Sequence, residues 1–115
     1  MVVTIWQEDL CTVLHIVGEL DVSGAPRLRA ELDQVLASAD PLRLVIDLTA
    51  VPFCDSVGLS VLVSLLNHAR RTHGRLILVL GPGMISHLLV ITNLNGHFET
   101  CASLQEARTA LSAAA

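Results

Sequence analysis

Lysine is absent from this 115-residue chain: its seven basic residues are all arginine, set against eleven aspartates and glutamates for a formal net charge of -4. Only Arg70, Arg71 and Arg75 cluster. A nucleic-acid backbone rewards a broad basic face that releases counterions, and no such face can be assembled from these residues. No nucleic-acid partner is expected. Long apolar runs are missing too. The longest nearly unbroken one, Val57 to Leu66, is interrupted by Gly58, Ser60 and Ser64 and falls far short of the roughly 20 residues that span a bilayer. The opening Met1-Val2-Val3-Thr4-Ile5-Trp6 has neither a basic n-region nor a small-residue cleavage site, so no direct membrane insertion is expected and the cytoplasm is the expected location. Cysteine is sparse: Cys11, Cys54 and Cys101 are an odd number in no CxxC or metal-like spacing, the pattern of reduced thiols used as small core residues.

The sequence is rich in core-forming residues. Hydrophobic residues make up 52% and charged residues 16%, which excludes a disordered chain and supplies a full core for one domain over residues 1–115. Val2–Gln7 and Cys11–Val17 are β-branched-rich runs split by Glu8-Asp9-Leu10, the length of a hairpin turn. Ser23 is placed to cap a helix with Pro26 in its first turn. In that helix Ala25, Leu28, Leu32, Val35 and Leu36 recur at helical spacing, and it should end before Asp40-Pro41. Leu42–Leu48 reads as a strand buried on both faces. A long helical stretch should open at Phe53 and reach about Thr72, with Gly74 as its left-handed stop, before a strand over Arg75–Leu80. A shorter helix over Met84–Ile91, a last strand at Glu99–Cys101 and a helix begun by the capping-box spacing of Ser103 and Glu106 complete the chain. Two strands followed by alternating helices and strands predict an α/β fold. Its mixed sheet would have an N-terminal antiparallel hairpin, then β-α units, and about four flanking helices.

Assembled catalytic sets are lacking. Ser56 sits in Cys54-Asp55-Ser56-Val57-Gly58, without the first glycine of a GxSxG elbow and without a histidine placed as its base. Gly81-Pro82-Gly83 lacks the remaining parts of a dinucleotide or phosphate loop. His68 and His73 fall on different helix faces, and His87 and His97 have no carboxylate at ligand spacing. No catalytic, cofactor-binding or metal residue is therefore assigned, and a non-enzymatic module is expected.

Asp55-Ser56 at a helix start remains. Both residues are ordinary N-caps worth about 1 kcal/mol with no further role. The other reading is a phosphorylation switch: a phosphate of about -1.5 to -2 charge at a helix N-terminus meets the helix dipole favourably and Asp55 unfavourably, and would spoil a surface shaped for a partner. Along the same helix Leu59, Leu62, Val63, Leu66 and Ala69 form an apolar arc, and Ser56, Ser60, Ser64, Asn67 and Arg71 a polar stripe. Val57, Val61 and Leu65 make a further apolar edge, open either to a neighbouring helix or to a docked partner.

Nearly end to end, the chain resembles the STAS domain family, and within it the stand-alone bacterial anti-sigma-factor antagonists. Gly18-Glu19-Leu20-Asp21-Val22 with Ala25-Pro26 is similar to the family's G-E-[LI]-D-V…A-P segment, and Phe53-Cys54-Asp55-Ser56-Val57-Gly58-Leu59 to its F-x-D-S-x-G-L motif. Ile91-Thr92-Asn93-Leu94, Phe98, Ser103 and Glu106-Ala107 resemble its ending more loosely. Val57 stands where many members carry a second hydroxyl, and Ser60 and Asn93 where glycine is common. The resemblance implies a phosphoprotein in a partner-switching scheme that regulates transcription. The unphosphorylated antagonist binds an anti-sigma factor that is also a serine kinase, freeing a sigma factor. Phosphorylation of Ser56 ends the binding, and a phosphoserine phosphatase resets it. Asp21, Ser23, Asp55, Ser56, Val57, Gly58, Ser60 and Val61 are then the expected partner-binding residues. Members of the family also serve as accessory subunits of lipid-transport ATPases and as sensor or interaction modules, which is the alternative role implied.

Overall fold

The computed structural model describes residues 1–38 and 41–113. Strands β1 (Val2–Gln7) and β2 (Thr12–Val17) form an antiparallel hairpin with Val2 opposite Val17 and Gln7 opposite Thr12. Helix α1 (Ala25–Ser38) leads to β3 (Arg43–Ala50), α2 (Ser56–Arg71) to β4 (Arg75–Val79), and α3 (Met84–Ile91) to β5 (Glu99–Cys101), with α4 (Leu104–Ala113) last. β2, β3, β4 and β5 are parallel neighbours, and the sheet order is β1-β2-β3-β4-β5. Right-handed crossovers that all step the same way put α1, α2 and α3 on one face of the sheet. On that face Leu14, Ile16, Leu44, Ile46 and Leu78 pack with Leu28, Leu32 and Leu62 in one core. The alternate side chains Val13, Val45, Ile77 and Val79 point the other way, to Ala107 and Leu111 of α4. This is the mixed sheet with four helices expected from the alternation of elements.

Element ends differ from expectation for local reasons. Helix α2 opens at Ser56 rather than Phe53, because Cys54 is engaged in an isolated parallel bridge with Leu20. The left-handed residue that ends α2 is His73 (φ 56°), not Gly74. The His73 N–H bonds the Arg70 carbonyl at 3.3 Å and the Gly74 N–H the Ala69 carbonyl at 2.8 Å, which closes the last turn. Gly74 is required by space: a Cβ there would lie 1.8 Å from the Leu42 carbonyl oxygen. Asn93 (φ 62°) ends α3 in the same manner, which explains an asparagine where glycine is common, since both tolerate this conformation. The expected Ser103 cap forms: its Oγ accepts the Glu106 N–H at 3.1 Å, while Glu106 reaches back to the Ala102 N–H at 2.7 Å. Asp40, expected to follow the end of α1, lies outside the described residues.

Two carboxylates are held by hydrogen bonds, one tying the hairpin turn to α4 and one joining β2 to β3. Glu8 takes two bonds from Arg108 of α4, at 3.0 and 2.9 Å, and one from the Trp6 indole N–H at 2.9 Å, a link across 100 residues of sequence. These bonds hold its carboxyl at about 2, against an ordinary 4.5. Burial raises the Asp47 carboxyl, but bonds from the Thr49 hydroxyl and N–H and from His15 outweigh it and leave the group below its ordinary range. A depressed carboxyl contributes stability that is complete above its unfolded pKa and lost as pH falls through its folded one. Glu8→Gln should therefore lower the melting temperature at pH 7. That difference from wild type should shrink as pH falls from about 4.5 towards 2, which a pH series of thermal melts checks.

Candidate functional site

Parallel pairing of β2 with β3 brings the segments that follow them side by side at the carboxyl end of the sheet, where sites of open α/β sheets collect. Gly18 (φ 109°) turns the chain out of β2, its N–H on the Ala50 carbonyl at 3.1 Å. The Leu20 N–H bonds the Phe53 carbonyl at 2.9 Å and the Asp55 N–H bonds the Leu20 carbonyl at 3.2 Å. The Gly18–Val22 and Phe53–Leu59 motifs are thus laced together through their backbones. Gly58 permits this approach. A Cβ there would lie 2.3 Å from the Leu20 carbonyl oxygen and 3.0 Å from the Cys54 sulfur, so any larger residue drives the first turn of α2 off the Leu20 strand.

Two aspartates organise the laced segments. Asp55 is the N-cap of α2: Oδ1 accepts the Gly58 N–H at 2.9 Å, and Oδ2 reaches across to accept the Val22 N–H at 3.0 Å. Asp21 Oδ1 accepts the Ser23 hydroxyl at 2.7 Å, the Ser23 N–H at 3.1 Å and the Gly24 N–H at 3.2 Å. The Ser23 hydroxyl, then the Gly24 N–H, hold the Asp21 carboxyl below its ordinary value. The Ser23 side chain is therefore spent on Asp21, and the expected Ser23 cap of α1 is replaced by a turn that Asp21 closes. The Asp21 backbone carbonyl takes the Ala25 N–H at 2.9 Å.

On this scaffold Ser56 is the first residue of α2, exposed, with no side-chain hydrogen bond among the described residues. No histidine hydrogen-bonds it among the described residues. At the same end, Val22 (65% exposed), whose N–H Asp55 holds, Phe53 (38%) and Val57 (39%) display apolar side chains to water. Asp21, Ser23, Asp55, Ser56, Val57 and Ser60 lie on or near the surface at this end, and the Ser60 hydroxyl donates to the Val57 carbonyl at 2.7 Å. Gly58 and Val61 do not reach it: Gly58 is buried against Leu20, and Val61 is 2% exposed. Neither presents a side chain to that surface in the free chain, and both support it from beneath. The apolar edge read from the sequence divides accordingly, with Val61 and Leu65 in the core and Val57 alone outward. Val22 and Phe53 are further residues displayed at this end that spacing did not single out. The available signal was a large apolar residue inside a turn or next to a cap, where no periodic face exists to bury it.

Cys54 is 1% exposed, and burial, with Asp55 adding to it, pushes its thiol up to about 11. A buried thiol whose pKa is raised has little thiolate to react, in keeping with the core role expected of it. Among the described residues no three His, Cys, Asp or Glu side chains are grouped to hold a metal ion, and no helix is long and apolar enough to cross a membrane.

The two oxygens of Asp55 predict separable losses. In Asp55→Asn one oxygen can still cap α2, but the amide nitrogen replaces the acceptor facing Val22. The Val22 amide should then exchange with solvent faster by hydrogen exchange while α2 persists. Asp55→Ala should cost about 1–2 kcal/mol in chemical denaturation, and Gly58→Ala about 3 kcal/mol or more, since backbone must move.

Residues 3–107 match the STAS domain family. The anti-sigma-F factor antagonist RsfB of Mycobacterium tuberculosis (strain CDC 1551 / Oshkosh) is 42% identical over 62 residues, 54% of this chain and 50% of that protein. The chain thus spans about half the length of the curated relatives it matches. A crystal structure of an anti-sigma factor antagonist from Mycobacterium paratuberculosis superimposes with a TM-score of 0.85 at 31% identity, covering 96% of this chain and 93% of that one. The Bacillus cell fate determinant SpoIIAA in its phosphorylated form shares the fold, with a TM-score of 0.74 at 17% identity over 96% of this chain and 99% of that one. With the hairpin-first mixed sheet and the two laced motifs, these matches establish that the chain belongs to the STAS domain family.

Proposed function

We propose that this chain, acting as one STAS domain over residues 1–115, is a non-enzymatic cytoplasmic anti-sigma-factor antagonist switched at Ser56. Its partner is an anti-sigma factor that is also a serine kinase; a phosphoserine phosphatase restores the binding form. The observation that carries this reading is the exposed, unbonded Ser56 hydroxyl at the start of a packed helix, on the end of the sheet where Val22, Phe53 and Val57 are also exposed. The names of the mycobacterial relatives support the antagonist role.

The switch follows from local energetics. A partner that covers Val22, Phe53 and Val57 removes water from the Ser56 hydroxyl at the same end. A neutral hydroxyl tolerates this; a phosphate of charge near -2, held beside Asp55 and Asp21, does not, because stripping its water without compensation is costly. The fold itself should be indifferent. Helix α2 has no acidic residue in its first turn, so a phosphate at its first position meets the positive end of the dipole favourably, while Leu62 and Ala69, 0% and 2% exposed, keep the helix seated.

Phosphoserine placed at position 56 should weaken binding to the cognate anti-sigma factor by about 100-fold or more, a cost on the order of 3 kcal/mol, while leaving the melting temperature near that of the unmodified protein. Ser56→Ala should bind and accept no phosphate when incubated with that partner and ATP. Calorimetric titration and mass spectrometry check both. A phosphate found at Ser60 or Ser64, or undiminished binding by the phosphorylated protein, would overturn the assignment.

A further inference from the structure

Away from Ser56, the groove between α1 and α2 contains a cavity of about 160 Å³ in which Arg29 of α1 and Ser64, His68 and Arg71 of α2 meet above the aliphatic side chains joining the two helices. Ser64 lies about 12 Å along the helix axis from Ser56. Arg29 and Arg71 form no ion pair among the described residues, whereas Arg27, Arg75 and Arg108 each do, with Glu31, Glu99 and Glu8. The hydrogen bond of Arg29 here is a long one, from Nη1 to the Ser64 hydroxyl at 3.5 Å. Arg43 and Arg70 form no ion pair among the described residues either; Arg29 and Arg71 differ in lining one small cavity together, two guanidinium groups and an imidazole against a single carboxylate. One carboxylate, Asp33, also lines the cavity and offsets part of their charge.

We propose that this cavity is a binding site for a small phosphate-class oxyanion. Arg29 and Arg71 would supply forked N–H donors matched to a tetrahedral or planar oxyanion, and Ser64 and His68 would supply single hydrogen bonds from the same face of α2. Each donor comes from a rigid helix, so the site needs no loop ordering. The role of Asp33 is antagonistic: it repels the ligand and keeps the affinity modest.

The test is a titration of the isotopically labelled full chain with sodium phosphate and, separately, with glycerol 3-phosphate, followed by amide and arginine side-chain resonances, with sodium chloride at matched ionic strength as control. Saturable shifts at Arg29, Ser64, His68 and Arg71 are expected with either phosphate and not with chloride. Tighter binding of one identifies the source as the free ion or an ester. Arg71→Gln and Arg29→Gln should each weaken binding about tenfold, and Asp33→Asn should tighten it. All three positions are exposed, and an unchanged far-UV spectrum verifies folding. Shifts that do not saturate, that match those of chloride, or that persist in Arg29→Gln/Arg71→Gln overturn the proposal. Because Ser56 is outside the cavity, anti-sigma-factor binding by the same variants reports separately on the antagonist reading.

Discussion

One carboxylate holds the candidate-site end of this protein together. Asp55 accepts the Gly58 N–H with one oxygen and the Val22 N–H with the other, so a single side chain starts α2 and fastens the loop that precedes α1. Its position is set by the backbone bonds between Leu20 and Phe53–Asp55, and those in turn require glycine at position 58, where a Cβ would strike the Leu20 carbonyl. Remove any of the three and the N-termini of α1 and α2 lose their common reference. The family motifs are thus one structural unit split over two stretches of sequence, about 35 residues apart in the chain but joined across the β2–β3 pairing.

Under the proposed function, that rigidity would let phosphorylation of Ser56 act as a surface event. The core arc of α2 packs on β3 and β4, and the first turn is capped by a side chain rather than by Ser56 itself. A hydroxyl that caps its own helix would couple modification to unfolding, since an N-cap is worth about 1 kcal/mol. Here the cap, Asp55, and the proposed phosphorylation site, Ser56, are adjacent but separate residues. The consequence of adding charge is directed outward, to whatever covers Val22, Phe53 and Val57.

Much of this was legible in the sequence. Elements whose residues declare their own environment were found with small errors in length: the β-branched hairpin, the doubly buried β3, the helical spacing of α2, and the Ser103–Glu106 cap. The failures share a physical cause. Ser23 has the chemistry of a helix cap, but Asp21 two residues earlier competes for its hydroxyl and wins with a charge-assisted bond. Gly74 suggests a left-handed turn, but its real constraint is the Leu42 backbone, contributed by the residue just before β3. Val61 looks like part of a continuous edge with Val57 until α1 is laid against one end of it. In each case local chemistry was read correctly and the deciding partner lay elsewhere in the chain. The motif resemblance located Asp55 and Ser56, but not the bond from Val22 to Asp55, which depends on register between two loops.

The most direct measurement is a comparison of amide chemical shifts and hydrogen exchange in the full chain with serine and with phosphoserine at position 56. Changes should be confined to the two laced segments, 18–24 and 53–60, with the amides of Leu62 to Ala69 and of β3 and β4 as protected as before. Loss of protection along α2, or across the sheet beneath it, would show that phosphorylation acts by loosening the fold, and would contradict a switch built from charge on a rigid surface.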